Sequence, residues 1–312
     1  MQEIDLRGII PAIVTPMTPE GEVDVQALRR YARWLAEQGP VALAVNVDTG
    51  EGPHLTVEEK RQTLETVAEA VVGRCKVVGG VAGPSTAQGV SNARAAQAAG
   101  ADALLVFPIS AFLGQPLNPE VPYRYHAAIA EAVDLPLILF QLQPALGGVL
   151  YTTEILHRLI MIPSVAAIKE ASFDAMRFLQ VKAALESASR KITFLTGNDN
   201  FICESFILGA EGALLGFSTL GTREQVQMLA AVQRGDIAEA RELGSRLQPL
   251  ADIIFAPPVT DYRARTKEAL RMLGVLANTT VRPPLLPTSE AECETIRQAL
   301  QNAGLSLSTV RG

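Results

Sequence analysis

Basic charge, histidine, cysteine and aromatic side chains are all scarce in this chain. Its 312 residues hold 27 Lys or Arg against 33 Asp or Glu, a formal net charge of −6 and a pI near 5.3. No basic field is present to meet phosphates, so nucleic acid is excluded as an expected partner. The three cysteines, Cys75, Cys203 and Cys293, lie far apart and form no CxxC or Cys/His cluster. They predict reduced thiols, a cytoplasmic location and no metal site. The histidines His54, His126 and His157 fall on a loop or on helical stretches, so no Ser/His/Asp arrangement forms. Long apolar runs are missing too. The least charged stretch, residues 135–153, is broken by Pro136, Pro144 and Gly147-Gly148, which makes it a poor membrane span. Residues 1–10 carry Glu3, Asp5 and Arg7 in place of the apolar core of a signal peptide. No G-x-G-x-x-G follows the first apolar segment, which weakens a dinucleotide-binding reading.

What is present is a rhythm. Short apolar runs with β-branched residues alternate with helical patterns, at residues 8–14, 41–45, 76–81, 102–107, 136–141, 164–169, 192–196 and 212–216. Thr56 followed by Glu59 reads as a capping box opening one of the helices. Eight strand–helix units in roughly 230 residues match a closed parallel (β/α)8 barrel, and an open doubly wound sheet shares the alternation. From Gly235 onward strands stop. Residues 237–255, 260–273 and 290–302 look helical, punctuated by Pro257-Pro258, Pro283-Pro284 and Pro287. The division expected is a barrel over residues 1–234 and a helical C-terminal appendage over 235–312, with residues 305–312 loosely held.

In a barrel, residues just past the strand ends converge on one mouth. Here these include Thr15, Asp48, Thr49, Glu51, Ser110, Phe140, Gln141, Lys169, Glu170, Asn198, Asp199 and Phe217. The segment Val165-Ala166-Ala167-Ile168-Lys169 stands out: a buried strand delivering one amine to its end. In apolar surroundings such an amine loses its proton readily and attacks a carbonyl to give an imine. On the segment alone, a surface lysine whose stem lies along the strand end is the simpler reading, since most lysines are solvated. Alternation turns Glu170 to the opposite face, a structural position. Glu51 reads as a loop brace, and Gln141 either lines the pocket or satisfies backbone.

The order of motifs resembles the dihydrodipicolinate synthase/N-acetylneuraminate lyase family of class I aldolases. The resemblance is carried by Gly8-Ile9-Ile10-Pro11-Ala12-Ile13-Val14-Thr15-Pro16, Thr49-Gly50-Glu51, Gly100-Ala101-Asp102-Ala103, Ile168-Lys169-Glu170-Ala171, Thr196-Gly197-Asn198-Asp199 and Arg282-Pro283-Pro284-Leu285-Leu286-Pro287. It implies a TIM (β/α)8 barrel with a C-terminal helical appendage, usually tetrameric, and no cofactor. It implies imine formation between Lys169 and pyruvate or a related 2-oxo acid. Homo-oligomerisation, as dimer or tetramer, is the partner expectation.

Departures from the family pattern are equally plain. Asp48 stands where the first of two hydroxyl residues is usual, and only Thr49 remains. Phe140 stands where a tyrosine is usual after the fifth strand. Ser110, or its neighbour Ile109, matches a second tyrosine, and Leu146 stands near a carboxylate-holding arginine of the synthase branch. Phe140 offers a ring without a proton. Thr49, with the amides of Thr49 and Gly50, is expected to hold a substrate carboxylate. Asp48 is read as the replacement acid/base or as a loop-capping aspartate. The function expected is a Schiff-base lyase, acting as aldolase, condensing synthase or dehydratase. Its alternatives are a 2-keto-3-deoxy sugar-acid dehydratase/aldolase and a non-catalytic 2-oxo-acid-binding paralogue. Substrate-contact residues expected are Thr49, Gly50, Phe140, Ser110 and Leu146, around Lys169 and Asp48.

Overall fold

The fold was obtained as a computed structural model that describes residues 4–114 and 116–305. Eight strands run in sequence order around one parallel sheet: β1 Ile9–Pro11, β2 Ala42–Val45, β3 Lys76–Val81, β4 Ala103–Val106, β5 Leu137–Leu142, β6 Val165–Ala171, β7 Thr193–Thr196 and β8 Gly212–Leu215. β1 pairs with β8, and a bridge between Ala12 and Ala44 closes the ring, with Val41 N donating to Ile9 O at 3.0 Å. The barrel expectation holds and the open doubly wound sheet does not. The first strand is shorter than the 8–14 read from sequence, and β6 continues two residues beyond Lys169.

Helices α1 Val25–Ala36, α2 Val57–Ala70, α3 Thr86–Ala98, α4 Glu120–Ala132, α5 Thr153–Leu159, α6 Ala175–Glu186, α7 Ile202–Ile207 and α8 Thr222–Gln233 follow the strands in turn. Their starts are written locally. Asp24 caps α1 through the Ala27 amide, and Thr56 and Glu59 form the expected capping box of α2. Three further helices follow: α9 Ile237–Ile254, α10 Tyr262–Met272 and α11 Glu290–Asn302. Of the tail read as loosely held, residues 306–312 lie outside the described residues. Among the described residues no helix is long and apolar enough to cross a membrane.

Strand parity divides the core in two. Leu137, Leu139 and Ile168 point outward to the helices, while Ile138, Phe140, Ala167 and Ala171 fill the barrel interior. Lys169 shares parity with the two interior alanines, so the pleat aims it inward. Small neighbours above and below leave its stem room.

Helix α10 is tied to the barrel by a buried ion pair. Lys267 and Glu51 are both fully enclosed, and the ammonium donates to Glu51 Oε1 and to Thr280 O at 2.7 Å. The other Glu51 oxygen accepts from the Arg282 amide at 2.8 Å. Glu51 adopts a left-handed backbone (φ 55°), a conformation uncommon outside glycine. Its expected part as a loop brace is what these bonds describe. Removing one partner leaves a buried charge alone. Lys267→Met is therefore expected to lower stability by roughly 3–5 kcal/mol in urea unfolding.

Candidate active site

The cavity at the barrel mouth is lined by Asp48, Thr49, Phe107, Phe140, Leu142, Leu146, Lys169, Phe173, Asp199 and Tyr262, among others. Its enclosed space is about 40 Å³, room for a few waters.

Lys169 reaches the floor from β6. Its ammonium lies 4.2 Å from the centre of the Phe140 ring, which β5 presents beside it at the paired register position. Burial lowers the lysine pKa, opposed by the charges of Asp199 first and Asp48 second. Asp199 follows β7, the neighbouring strand. Burial raises its pKa, against a bond from the Phe217 amide at 2.9 Å and the pull of Lys169. Gly197 makes room for the Lys169 stem beside Asp199. A Cβ there would stand 2.7 Å from Lys169 Cε and 2.7 Å from Ala171 Cβ.

Opposite, the loop after β2 contributes Asp48 and Thr49. The Asp48 carboxylate meets no loop amide, so the capping alternative does not describe it. It accepts from the Tyr262 phenol at 2.8 Å and forms an ion pair with Arg263, both from α10. The same phenol lies 3.3 Å from Thr49 Oγ1. Gly216 permits this crowding, since a Cβ would sit 3.0 Å from Phe255 and 3.3 Å from Thr49 Oγ1. Phe255 stacks on Tyr262 with ring centres 4.7 Å apart, and Phe173 leans on Phe255 at 6.3 Å. Phe173 is held at φ 61° by Asn198, which accepts from its amide at 2.7 Å, and by Asn200. A bulky residue in that region is strained by roughly 1–3 kcal/mol.

Of the residues singled out from sequence, Lys169, Asp48, Thr49, Phe140 and Leu146 line one cavity. Ser110 does not. It is exposed on a short turn whose next-but-one residue, Phe112, is buried against Tyr125, and anchoring that ring turns Ser110 outward. Gly50 is also displaced from the expected contact. Its amide donates to Val47 O at 3.1 Å, and its Cα packs toward Ile13 O. Gln141 binds the Tyr151 amide and Glu170, which settles it as satisfying structure behind the wall. Glu170, turned outward, also accepts from Asn198 at 2.7 Å. Sequence reading missed Tyr262, Arg263, Phe255 and Phe173. Two ring-bearing residues flanking Pro257-Pro258, in a chain only 5% aromatic, were the available signal.

Gly197→Ala is expected to push the Lys169 stem off its course. Loss of any borohydride-reducible adduct on Lys169, with the fold intact by circular dichroism, is the result that checks it.

The sequence profile described as "Dihydrodipicolinate synthetase family" matches residues 5–303. The 4-hydroxy-tetrahydrodipicolinate synthase of Gluconacetobacter diazotrophicus is 32% identical over 305 residues, covering 98% of this chain and 99% of that protein. The enzyme of the same name from Kineococcus radiotolerans is 34% identical, covering 96% and 93%. Among solved structures, the pyruvate complex of dihydrodipicolinate synthase from Acinetobacter baumannii superposes with a TM-score of 0.86 at 30% identity, covering 97% of this chain and 100% of that one. The Thermotoga maritima dihydrodipicolinate synthase gives a TM-score of 0.88 at 27% identity, covering 96% and 99%. With a lysine-bearing barrel mouth and full-length similarity of this kind, the chain belongs to the dihydrodipicolinate synthetase family.

Proposed function

We propose that this protein is a Schiff-base-forming lyase acting on pyruvate or a related 2-oxo acid, with Lys169 as nucleophile and Asp48 in proton transfer. The observation that carries the reading is a single inward lysine, its charge disfavoured by burial, on the floor of a small cavity. A neutral amine is the species that attacks a ketone. The pyruvate bound to the Acinetobacter baumannii relative supports the substrate class. The Thr49 hydroxyl faces Lys169 across the cavity and is suited to a substrate carboxylate. Arg263, paired with Asp48, offsets the negative charge that would repel that carboxylate.

Specificity follows from the wall. Phe107, Leu142, Leu146, Phe173 and Phe255 make one side apolar, and among the described lining residues Lys169 is the sole cation. The second reactant, or the part released, is therefore poorly hydroxylated and carries no second carboxylate. This weighs against aspartate semialdehyde. A 2-keto-3-deoxy sugar acid is the second reading, favoured by Asp48 and Asp199, whose carboxylates can accept from sugar hydroxyls. The three free thiols fit a reducing, cytoplasmic setting, and a homo-oligomer is the assembly proposed.

Pyruvate with borohydride is expected to leave a reduced adduct on Lys169, read by mass spectrometry and absent from Lys169→Ala. Since only the free amine attacks, the initial rate should rise with pH and level off above about 8. An adduct without turnover on any aldehyde or sugar acid would indicate a binding paralogue. Leu146→Arg is expected to raise kcat/KM for aspartate semialdehyde at least tenfold, in steady-state assays. No gain would count against the assignment of that wall.

A further inference from the structure

Chemistry at a lysine imine requires protons to move. One must reach the carbinolamine hydroxyl for water to leave, and one must leave the carbon next to the iminium. The ring beneath Lys169, Phe140, has no proton to exchange. On the far side of the cavity, a phenol from the C-terminal helix α10 stands between two groups of the β2 loop: Tyr262 Oη lies 2.8 Å from Asp48 Oδ2 and 3.3 Å from Thr49 Oγ1. One hydroxyl hydrogen points to one of these at a time, and the oxygen keeps lone pairs for an incoming proton. Asp48 is fixed by Arg263, whose Nε also donates to the Asp48 carbonyl at 2.9 Å. Stacking on Phe255 fixes the phenol ring.

We propose that Tyr262 is the proton-carrying residue of the site, a conduit between the reacting carbon and Asp48. The proposal rests on the imine reading above. In the enamine step the C3–H bond of the pyruvate iminium breaks, and its proton goes to Tyr262 Oη. The phenol's own proton passes to Asp48 Oδ2. The C–H electron pair becomes the C2=C3 double bond, and the C=N π pair returns to the Lys169 nitrogen. Iminium and carboxylate become enamine and carboxylic acid, and the tyrosine ends neutral. Run in the other direction, the same path protonates the carbinolamine hydroxyl and releases water.

The surroundings favour a hand-over rather than a free phenolate. Burial holds the Tyr262 phenol well above its ordinary pKa, and the Asp48 charge adds to this. Asp199 lies on the other flank, after β7, where its charge favours the Lys169 ammonium. The two carboxylates are held separately: Asp199 by the Phe217 amide, Asp48 by the phenol and Arg263.

The test needs no knowledge of the second reactant. In D2O, an enzyme that forms the enamine replaces the methyl protons of pyruvate with deuterium, followed by proton NMR. Tyr262→Phe keeps the ring. It is expected to slow exchange about 100-fold or more while borohydride traps the same amount of adduct. Asp48→Asn should show a similar loss, and the double variant should be no slower than the worse single, because both cut one path. Wild-type exchange in Tyr262→Phe, or multiplying losses in the double variant, would overturn the proposal. So would a wild type that forms the adduct yet exchanges no protons. No adduct in the wild type would instead remove the imine reading itself. Should Tyr262→Phe not fold, 3-fluorotyrosine at position 262 keeps ring and hydroxyl while making the phenol more acidic. An altered exchange rate and pH profile then supports the conduit, and unchanged ones overturn it.

Discussion

The buried pair of Glu51 and Lys267 is the contact on which the arrangement of this molecule depends. Neither charge touches water, and each is satisfied by further bonds, from the Arg282 amide and to Thr280 O. An ion pair of this kind adds little net stability over an apolar replacement, yet losing either member is costly. Its consequence here is positional. It locks the first turns of α10 over the β2 loop, and Tyr262 and Arg263 are thereby carried into the rim. Arg282, bonded to Glu59 and to the His54 carbonyl, extends the same seam along α2.

The electrostatics of the mouth follow from that placement. Lys169 faces two carboxylates, and both favour its ammonium form. Burial opposes them and prevails, because the lysine is walled by Phe140, Ala171 and the backbone at Gly197. Asp48 would weigh more heavily if its charge were free. Arg263 neutralises it at contact distance, so the amine feels mainly Asp199. One chain therefore keeps an acid near a buried lysine whose pKa is nonetheless lowered.

Much of this was written in the sequence at short range. The eight apolar runs, the Thr56–Glu59 capping box and the inward parity of Lys169 each depend on neighbours within a few residues, and period-2 and period-3.6 patterns carry that information. Asp48 and Thr49 were legible as strand-end residues for the same reason. Ser110 was misplaced because distance from a strand end says nothing of which way a short turn faces, and a buried Phe112 decided it. Tyr262 was legible only as one of two rings flanking Pro257-Pro258, with nothing to place it at the mouth. Its bonds to the β2 loop span 213 and 214 residues, and nothing in helical periodicity marks which exposed-looking turn will dock on a distant loop.

That separation has a consequence for how the molecule comes into being. As the chain leaves the ribosome, all eight strands precede residue 216, while the phenol, the guanidinium and the ammonium that finish the rim arrive only with α10. A nascent barrel thus carries Lys169 before the groups of α10 across the mouth exist, with Glu51 still lacking Lys267. The long loop closure that joins residue 51 to residue 267 makes completion of the centre one of the late events of synthesis.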